Sequence, residues 1–248
     1  MRKIFYVCLA LGLMFSSVTF VSCGGDDEKS NPENTTPQKT ADRDEAGNIK
    51  ITEVNFPDPV FRAYLFDKYG ADGVLNDAEI DHVIELDLNK KNIQTLKGIE
   101  FFRVLEKLSC NNNQLTSLDL SKNTRLTYLS CIYNNQLSSL DVSGCAALTT
   151  LECRNNSLAL LNVSGCKALN YLYCSNNRIA SIDVSECPAL TIMSCNWNHL
   201  RSLDLSTNLM LTRLSCNNNQ LTSLDVSKNT ALVSLDCDPE VTVIGWPR

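Results

Sequence analysis

From Leu105 onward, apolar residues fall at fixed places in a unit that returns about every 21 residues. Each unit reads L-x-x-L-x-C-x-x-N-x-L, as in Leu148, Leu151, Cys153, Asn156 and Leu158. The aligned cysteines are Cys110, Cys131, Cys153, Cys174, Cys195, Cys216 and Cys237, spaced 21, 22, 21, 21, 21 and 21 residues apart. The single 22 reflects one extra residue within Ile132-Tyr133-Asn134-Asn135. A looser unit with Val83, Leu86, Leu88 and Ile93 comes first, so the array covers about residues 83–248. A fixed period of this length signals stacked repeats. In Leu126-x-x-Leu129-x-Cys131 the alternation predicts a short strand, with 129 and 131 facing one way and 128, 130 and 132 the other. Strands of successive units would stack in parallel at about 4.8 Å. The inward column must be apolar and constant in size, and cysteine serves there as a small hydrophobe.

Asn113, Asn156, Asn177, Asn198 and Asn219 follow the strands. They predict a turn in which stacked backbones satisfy each buried amide. A second apolar segment, such as Leu115-x-x-Leu118-x-Leu120, closes the coil, and 21 residues leave little room for a helix. One coil buries about six side chains at roughly 1.5–3 kcal/mol each. Ordering its backbone costs about 1–2 kcal/mol per residue. A lone coil should not fold, so stacking is obligatory and the ends need caps.

Residues 51–82 carry a helical pattern and are expected to be the N-terminal cap. Asp58-Pro59 reads as an N-cap followed by proline at the first helical position. Val60, Phe61, Tyr64 and Leu65 recur at helical spacing, and Gly70 is the stop. Asn76 with Glu79 predicts a reciprocally capped second helix carrying Ile80 and Val83. Lys68 to Glu79 can be laid over a twelve-residue calcium loop, with Asp72 fifth, Gly73 at the turn and Glu79 last. Lys68 and Gly70 occupy the first and third ligand places, which favours a plain helix–turn–helix cap. Val241, Val243, Ile244 and Trp246 break the repeat and are expected to cap the other end.

The chain opens on a basic head, Met1 to Lys3, and an apolar run from Ile4 to Val21. This describes a secretory leader. The run is also about long enough to span a membrane, which leaves an uncleaved anchor as the alternative. Phe20-Val21-Ser22-Cys23 resembles a bacterial lipobox, which implies removal of residues 1–22 and lipidation of Cys23. Gly24-Gly25-Asp26-Asp27-Glu28 is similar to the surface-export signal of some Gram-negative lipoproteins. Acyl chains contribute about 0.8 kcal/mol per buried methylene. Residues 23–50 then read as the lipidated cysteine and a polar, disordered tether. Such a tether would hold the next domain on the order of 30 Å from the membrane.

The unit resembles the leucine-rich repeat, with cysteine in the third apolar slot. Its cysteine column is similar to the cysteine-ladder repeats of internalin-type bacterial surface proteins. The segment through Phe56, Asp58, Phe61 and Leu65 is similar to the N-terminal caps of such repeats in surface lipoproteins. The resemblance implies a leucine-rich-repeat solenoid, mostly β, with parallel strands on the concave face and turns or short extended pieces on the convex one. It implies adhesion or recognition rather than catalysis. The expected anchor here is a lipid rather than a wall-sorting signal.

Composition narrows the chemistry. The 248 residues are 44% apolar and 20% charged, ordinary for a globular chain. A net charge of −6, which becomes −8 once Arg2 and Lys3 leave with the leader, argues against nucleic-acid binding. Twelve cysteines, an even count, invite a disulfide reading. Cys8 falls in the leader and Cys23 at the lipid site; seven form the main ladder, and Cys145, Cys166 and Cys187 form a side column in place of Asn123, Asn208 and Asn229. In-register Cβ atoms about 4.8 Å apart exceed the usual 3.5–4.5 Å of a bridge, so packed thiols are expected.

Asp119, Asp141, Asp183, Asp204 and Asp225, with Asn162 in the gap, form an acidic column. Turn capping or a solvated edge is the expected role, and loose cation binding the alternative. His82 and His199 are the only histidines. No nucleophile–base set, H-E-x-x-H, G-x-S-x-G or phosphate loop is present, so no enzyme activity, cofactor or metal is implied.

The outward strand positions vary from unit to unit. Tyr128, Ile132, Glu152, Arg154, Tyr171, Tyr173 and Arg213 fall there, with Tyr133 and Trp197 one residue beyond. Tyrosine, tryptophan and arginine carry binding energy at protein interfaces. These nine residues are the candidate concave-face site for an extracellular protein. A glycan stacking on the aromatics, or a structural lipoprotein without a ligand, are the other readings.

Overall fold

A computed structural model describes residues 41–246. The leader, the lipidation call at Cys23 and the tether as far as residue 40 lie outside the described residues.

The fold begins earlier than residue 51. Ile49–Lys50 pairs antiparallel with Val74–Leu75, and Ile49 is buried. Asn55 clamps this segment: its Oδ1 accepts from Asp42 N at 2.9 Å, and its Nδ2 donates to Asp42 O and Lys50 O at 2.7 and 2.9 Å. Residues 41–50, expected as tether, are thus part of the cap. A two-residue strand has no periodicity to reveal it.

Helix α1, Pro59–Lys68, starts as expected. Asp58 Oδ1 accepts from Val60 N and Phe61 N at 2.9 and 3.0 Å, which satisfies amides that a helix start leaves open. Asp58 Oδ2 accepts from Gln94 N at 2.7 Å, so one carboxylate joins the cap to the first coil. Phe61 and Leu65 are buried, and Phe56 meets Phe61 and Phe101 edge-on at 5.8 and 5.6 Å. Val60, expected on this face, is exposed. Gly70 ends the helix in a close crossing, where a Cβ would lie 2.3 Å from Ile51 Cδ1. Helix α2, Asp77–Ile80, has the reciprocal cap: Glu79 N donates to Asn76 Oδ1 at 2.9 Å, and Asn76 N to Glu79 Oε2 at 2.8 Å. Glu79 is engaged in capping rather than at the end of a calcium loop.

Eight three-residue strands then form one parallel sheet in chain order: Glu85–Asp87, Lys107–Ser109, Tyr128–Ser130, Thr150–Glu152, Tyr171–Tyr173, Ile192–Ser194, Arg213–Ser215 and Ser234–Asp236. Register is strict: Leu108, Leu129, Leu151, Leu172, Met193 and Leu214 are successive partners. The mostly β leucine-rich-repeat solenoid is the observed fold. The far side carries turns and two short parallel pairs, Ser139–Asp141 with Leu160–Asn162 and Ser223–Asp225 with Thr242–Ile244.

Behind the sheet run two ladders. The ten described cysteines are unpaired, and all but Cys237 are buried. Burial pushes the thiols of Cys131, Cys174 and Cys216 up to about 12, and in the side column those of Cys145 and Cys187 to about 11 and that of Cys166 to about 12. They are protonated, small and apolar, as a packed column requires. The asparagine ladder is continuous. Asn177 Nδ2 donates to Cys153 O and Cys174 O at 2.9 and 3.0 Å, and its Oδ1 accepts from Leu158 N at 3.0 Å. Asn134 takes the same place in its coil, bonding Cys110 O and Cys131 O at 3.1 and 3.0 Å. The extra residue of the 22-residue unit therefore falls after Asn134.

At the C-terminal end, Val241 is buried and Asp238 receives Asn218 N and Asn219 N at 2.7 and 3.2 Å. This carboxylate replaces the carbonyls a further coil would offer. Among the described residues, no helix is long and apolar enough to cross a membrane.

Candidate recognition surface

The sheet presents its outer face in three rows. Tyr128, Thr150, Tyr171, Ile192 and Arg213 are consecutive register partners in the first. Tyr171 is 39% exposed, while Tyr128 and Ile192 are half-buried. Parallel pairing at about 4.8 Å makes each of these side chains the lateral neighbour of the next.

The second and third rows meet in a polar cluster. Arg154 Nη2 lies 3.7 Å from Glu152 Oε2, and its guanidinium sits 4.8 Å from the centre of the Tyr173 ring. Glu152 Oε2 also accepts from the Ser130 hydroxyl at 3.2 Å, and Ser130 lies 2.8 Å from Asn111 Oδ1. A half-exposed ion pair contributes little to stability, about 0–1 kcal/mol. A cation–π contact at such a site adds about 0.5–1 kcal/mol. The cluster does more to hold Arg154 in one orientation than to hold the fold. Ile132 lies in the third row beside Arg154 and is half-buried; Ile132 N donates to Asn111 Oδ1 at 2.6 Å.

Tyr133 and Trp197 are not on the strands. They occupy the turn that leaves the sheet, with φ of 59° and 56°. The equivalent residues of other coils are Lys90, Asn112, Asn155, Asn176 and Asn218, at φ of 55° to 58°. Asparagine tolerates this left-handed region, and bulky side chains do so poorly. Alignment of the units shows the aromatic substitutions in sequence, but not the backbone that makes them unusual.

The acidic column lies on the far side of the coil, where each carboxylate caps a turn. Asp119, Asp141, Asp183, Asp204 and Asp225 accept from the backbone N–H two residues on at 2.8–2.9 Å, and Asn162 does so at 3.1 Å. Hydrogen bonds from Ser143, Ser185, Ser206 and Ser227 hold Asp141, Asp183, Asp204 and Asp225 below the usual carboxylate range. No group of three or more metal-ligating side chains is assembled among the described residues. His199 is exposed, with Nδ1 3.1 Å from Asn198 O, and His82 caps the end of α2 through Ala78 O.

Comparison with known proteins agrees with this architecture. Residues 103–145 match the family model for leucine-rich repeats in two copies. No curated protein matches the sequence. Internalin C2 of Listeria monocytogenes is similar in structure, with 24% identity over 79% of this chain and 97% of that one, and a TM-score of 0.50. YopM of Yersinia pestis, a leucine-rich effector protein, shows 20% identity over 75% of this chain and 56% of that one, with a TM-score of 0.56. The functional domain of InlJ from Listeria monocytogenes, which includes a cysteine ladder, shows 25% identity over 78% of this chain, with a TM-score of 0.34. The match spans 62% of that domain.

Proposed function

We infer a function from the premise that this chain is a leucine-rich-repeat protein with an internalin-like solenoid fold, a fold typical of recognition domains. The protein is a non-catalytic recognition module whose sheet face binds an extracellular protein. One observation carries the reading: the register-aligned row from Tyr128 through Tyr171 to Arg213, flanked by the oriented Arg154–Tyr173 pair, on a sheet face that no other element covers among the described residues. Tyrosine and arginine at the centre of a face are the side chains that dominate protein interfaces. Glu152 and Arg154 would set partner orientation through charge.

The anchoring half of the reading rests on sequence. Cys23, after the apolar run and before the acidic Asp26-Asp27-Glu28, is the proposed lipid attachment site, with the module exposed on the outer membrane. Incorporation of labelled palmitate should be lost in Cys23→Ala. External protease should cleave the protein on intact cells; resistance would place it inside.

For the ligand, immobilised residues 24–248 are screened against purified extracellular proteins. Replacing Tyr128, Tyr171 and Tyr173 together by serine should weaken capture at least about a hundredfold, the loss of roughly two hot-spot contacts. Unchanged capture by that variant would reject the site.

A further inference from the structure

We propose that the turn rim beside the sheet is a second, separate site, which binds a linear neutral glycan with Tyr133 and Trp197 as its stacking platforms. The first seven coils leave the sheet through the same left-handed residue, held there by the next coil: Tyr133 N donates to Arg154 O at 3.2 Å, Asn176 N to Asn196 O at 2.9 Å and Trp197 N to Asn217 O at 3.0 Å. The stack over-determines this backbone, which is how an unfavourable residue persists there. Four coils use asparagine, the residue suited to that conformation, and the first coil uses Lys90. Two use a large aromatic, and the fold gains little from the rings. Tyr133 is 51% exposed and Trp197 60% exposed. Neither ring stacks on another aromatic or a cation among the described residues. Aromatics kept where asparagine fits the backbone better point to a ligand.

The chemistry between them says which kind. Asn155 and Asn176 occupy the two intervening coils, and their side-chain amides make no hydrogen bond within the described residues. An amide offers donor and acceptor together, the complement of a hydroxyl that does both. Three coil steps of about 4.8 Å place the two rings roughly 14 Å apart. That is too far for one hydrophobic hot spot, which clusters. Arg154, the nearest cation of the third row, is already paired with Glu152 and Tyr173. A ligand that meets the rim at intervals with apolar faces, and between them with uncharged hydroxyl edges, is a chain of sugar rings. This site uses residues apart from the sheet-face tyrosines, so it stands or falls independently of the protein reading.

The test is titration of the purified protein with neutral oligosaccharides of two and six units, β1,4-linked glucose, β1,4-linked N-acetylglucosamine and α1,4-linked glucose in turn. Calorimetry and the Trp197 fluorescence report binding. At least one hexasaccharide should bind saturably, with its disaccharide weaker by about tenfold or more, since two units cannot reach both rings. Trp197→Asn and Tyr133→Asn should each weaken it about tenfold. Both variants should unfold cooperatively as the parent does, because asparagine is the residue other coils use here. Tyr171→Ser, which strikes the protein site, should leave glycan affinity unchanged. Failure of all three hexasaccharides to bind, equal affinity for two and six units, or unaltered binding in both rim variants would overturn the proposal.

Discussion

Two buried asparagines should respond unequally to replacement. Asn177→Ala removes the only acceptor of Leu158 N, a buried amide, among the described residues. An orphaned buried donor costs about 1–3 kcal/mol. The carbonyls of Cys153 and Cys174 lose one amide each but keep another, from Asn156 at 2.9 Å and Asn198 at 3.1 Å. Those two lost bonds cost about 0.5–1.5 kcal/mol apiece. Asn177→Ala should therefore destabilise the protein by about 2–6 kcal/mol, a large share of the roughly 5–15 kcal/mol that holds a domain. Asn208 is as buried, yet its Oδ1 has no partner among the described residues. Its Nδ2 donates at 3.0 and 2.9 Å to the carbonyls of Val184 and Cys187, which already accept Cys187 N and Leu190 N. Cysteine fills the same slot in three coils, with Cys166 Sγ 3.3 Å from Val142 O. Asn208→Cys exchanges two redundant bonds for one thiol contact and removes the orphan oxygen, so stability should stay within about 1 kcal/mol. Urea unfolding under reducing conditions, followed by circular dichroism, reads both. Equal midpoint shifts for the two variants would refute the ladder account.

Other outcomes follow from the same structure. A thiol reagent at pH 8 should label Cys237 first and leave the buried ladder untouched until unfolding; a thiol at about 12 is roughly one part in ten thousand ionised. Rapid native labelling of Cys131 or Cys174 would contradict the packed-thiol reading. Gly98→Ala should destabilise by more than about 1–3 kcal/mol, because φ is 103° and a Cβ would lie 2.2 Å from the Phe56 ring; a neutral urea midpoint would show the cap is looser than described. The turn-capping carboxylates sit below their ordinary value, so their contribution is full above about pH 4 and is lost as pH falls through the lowered folded value. Asp141→Asn, Asp183→Asn and Asp204→Asn combined should flatten the acid limb of a stability–pH curve, as Asn162 already fills one such turn. An unchanged limb would mean these caps do not contribute.

Much of the fold is legible in the sequence because a solenoid writes one instruction many times. Leu148, Leu151, Cys153 and Asn156 each recur at the same offset, and the period alone gives strand, inward column and turn. The cap helices were legible through Asp58, Asn76 and Glu79, whose capping chemistry is local. Ile49 was not, because the alternation of Ile49 with Ile51 is too short to set a strand apart from the polar stretch before it. Asn134 stands three residues after Cys131, as its counterparts stand after their cysteines, so only the place of the inserted residue was hidden. For the recognition surface, alternation told which residues leave the sheet outward, including Tyr171 and Arg154. It could not tell that Arg154 lies over Tyr173, a contact between coils 19 residues apart in sequence. The left-handed backbone under Tyr133 and Trp197 was equally invisible, since φ is set by hydrogen bonds to the next coil.

The outer face of the eight-stranded sheet is proposed as the recognition surface. Capture of a purified extracellular partner is measured for the protein carrying serine at Tyr128, Tyr171 and Tyr173, beside one carrying alanine at Arg201, an exposed residue outside the eight strands. The account predicts a loss of about a hundredfold for the first and none for the second. Full capture by the tyrosine variant, with loss in Arg201→Ala, would contradict it.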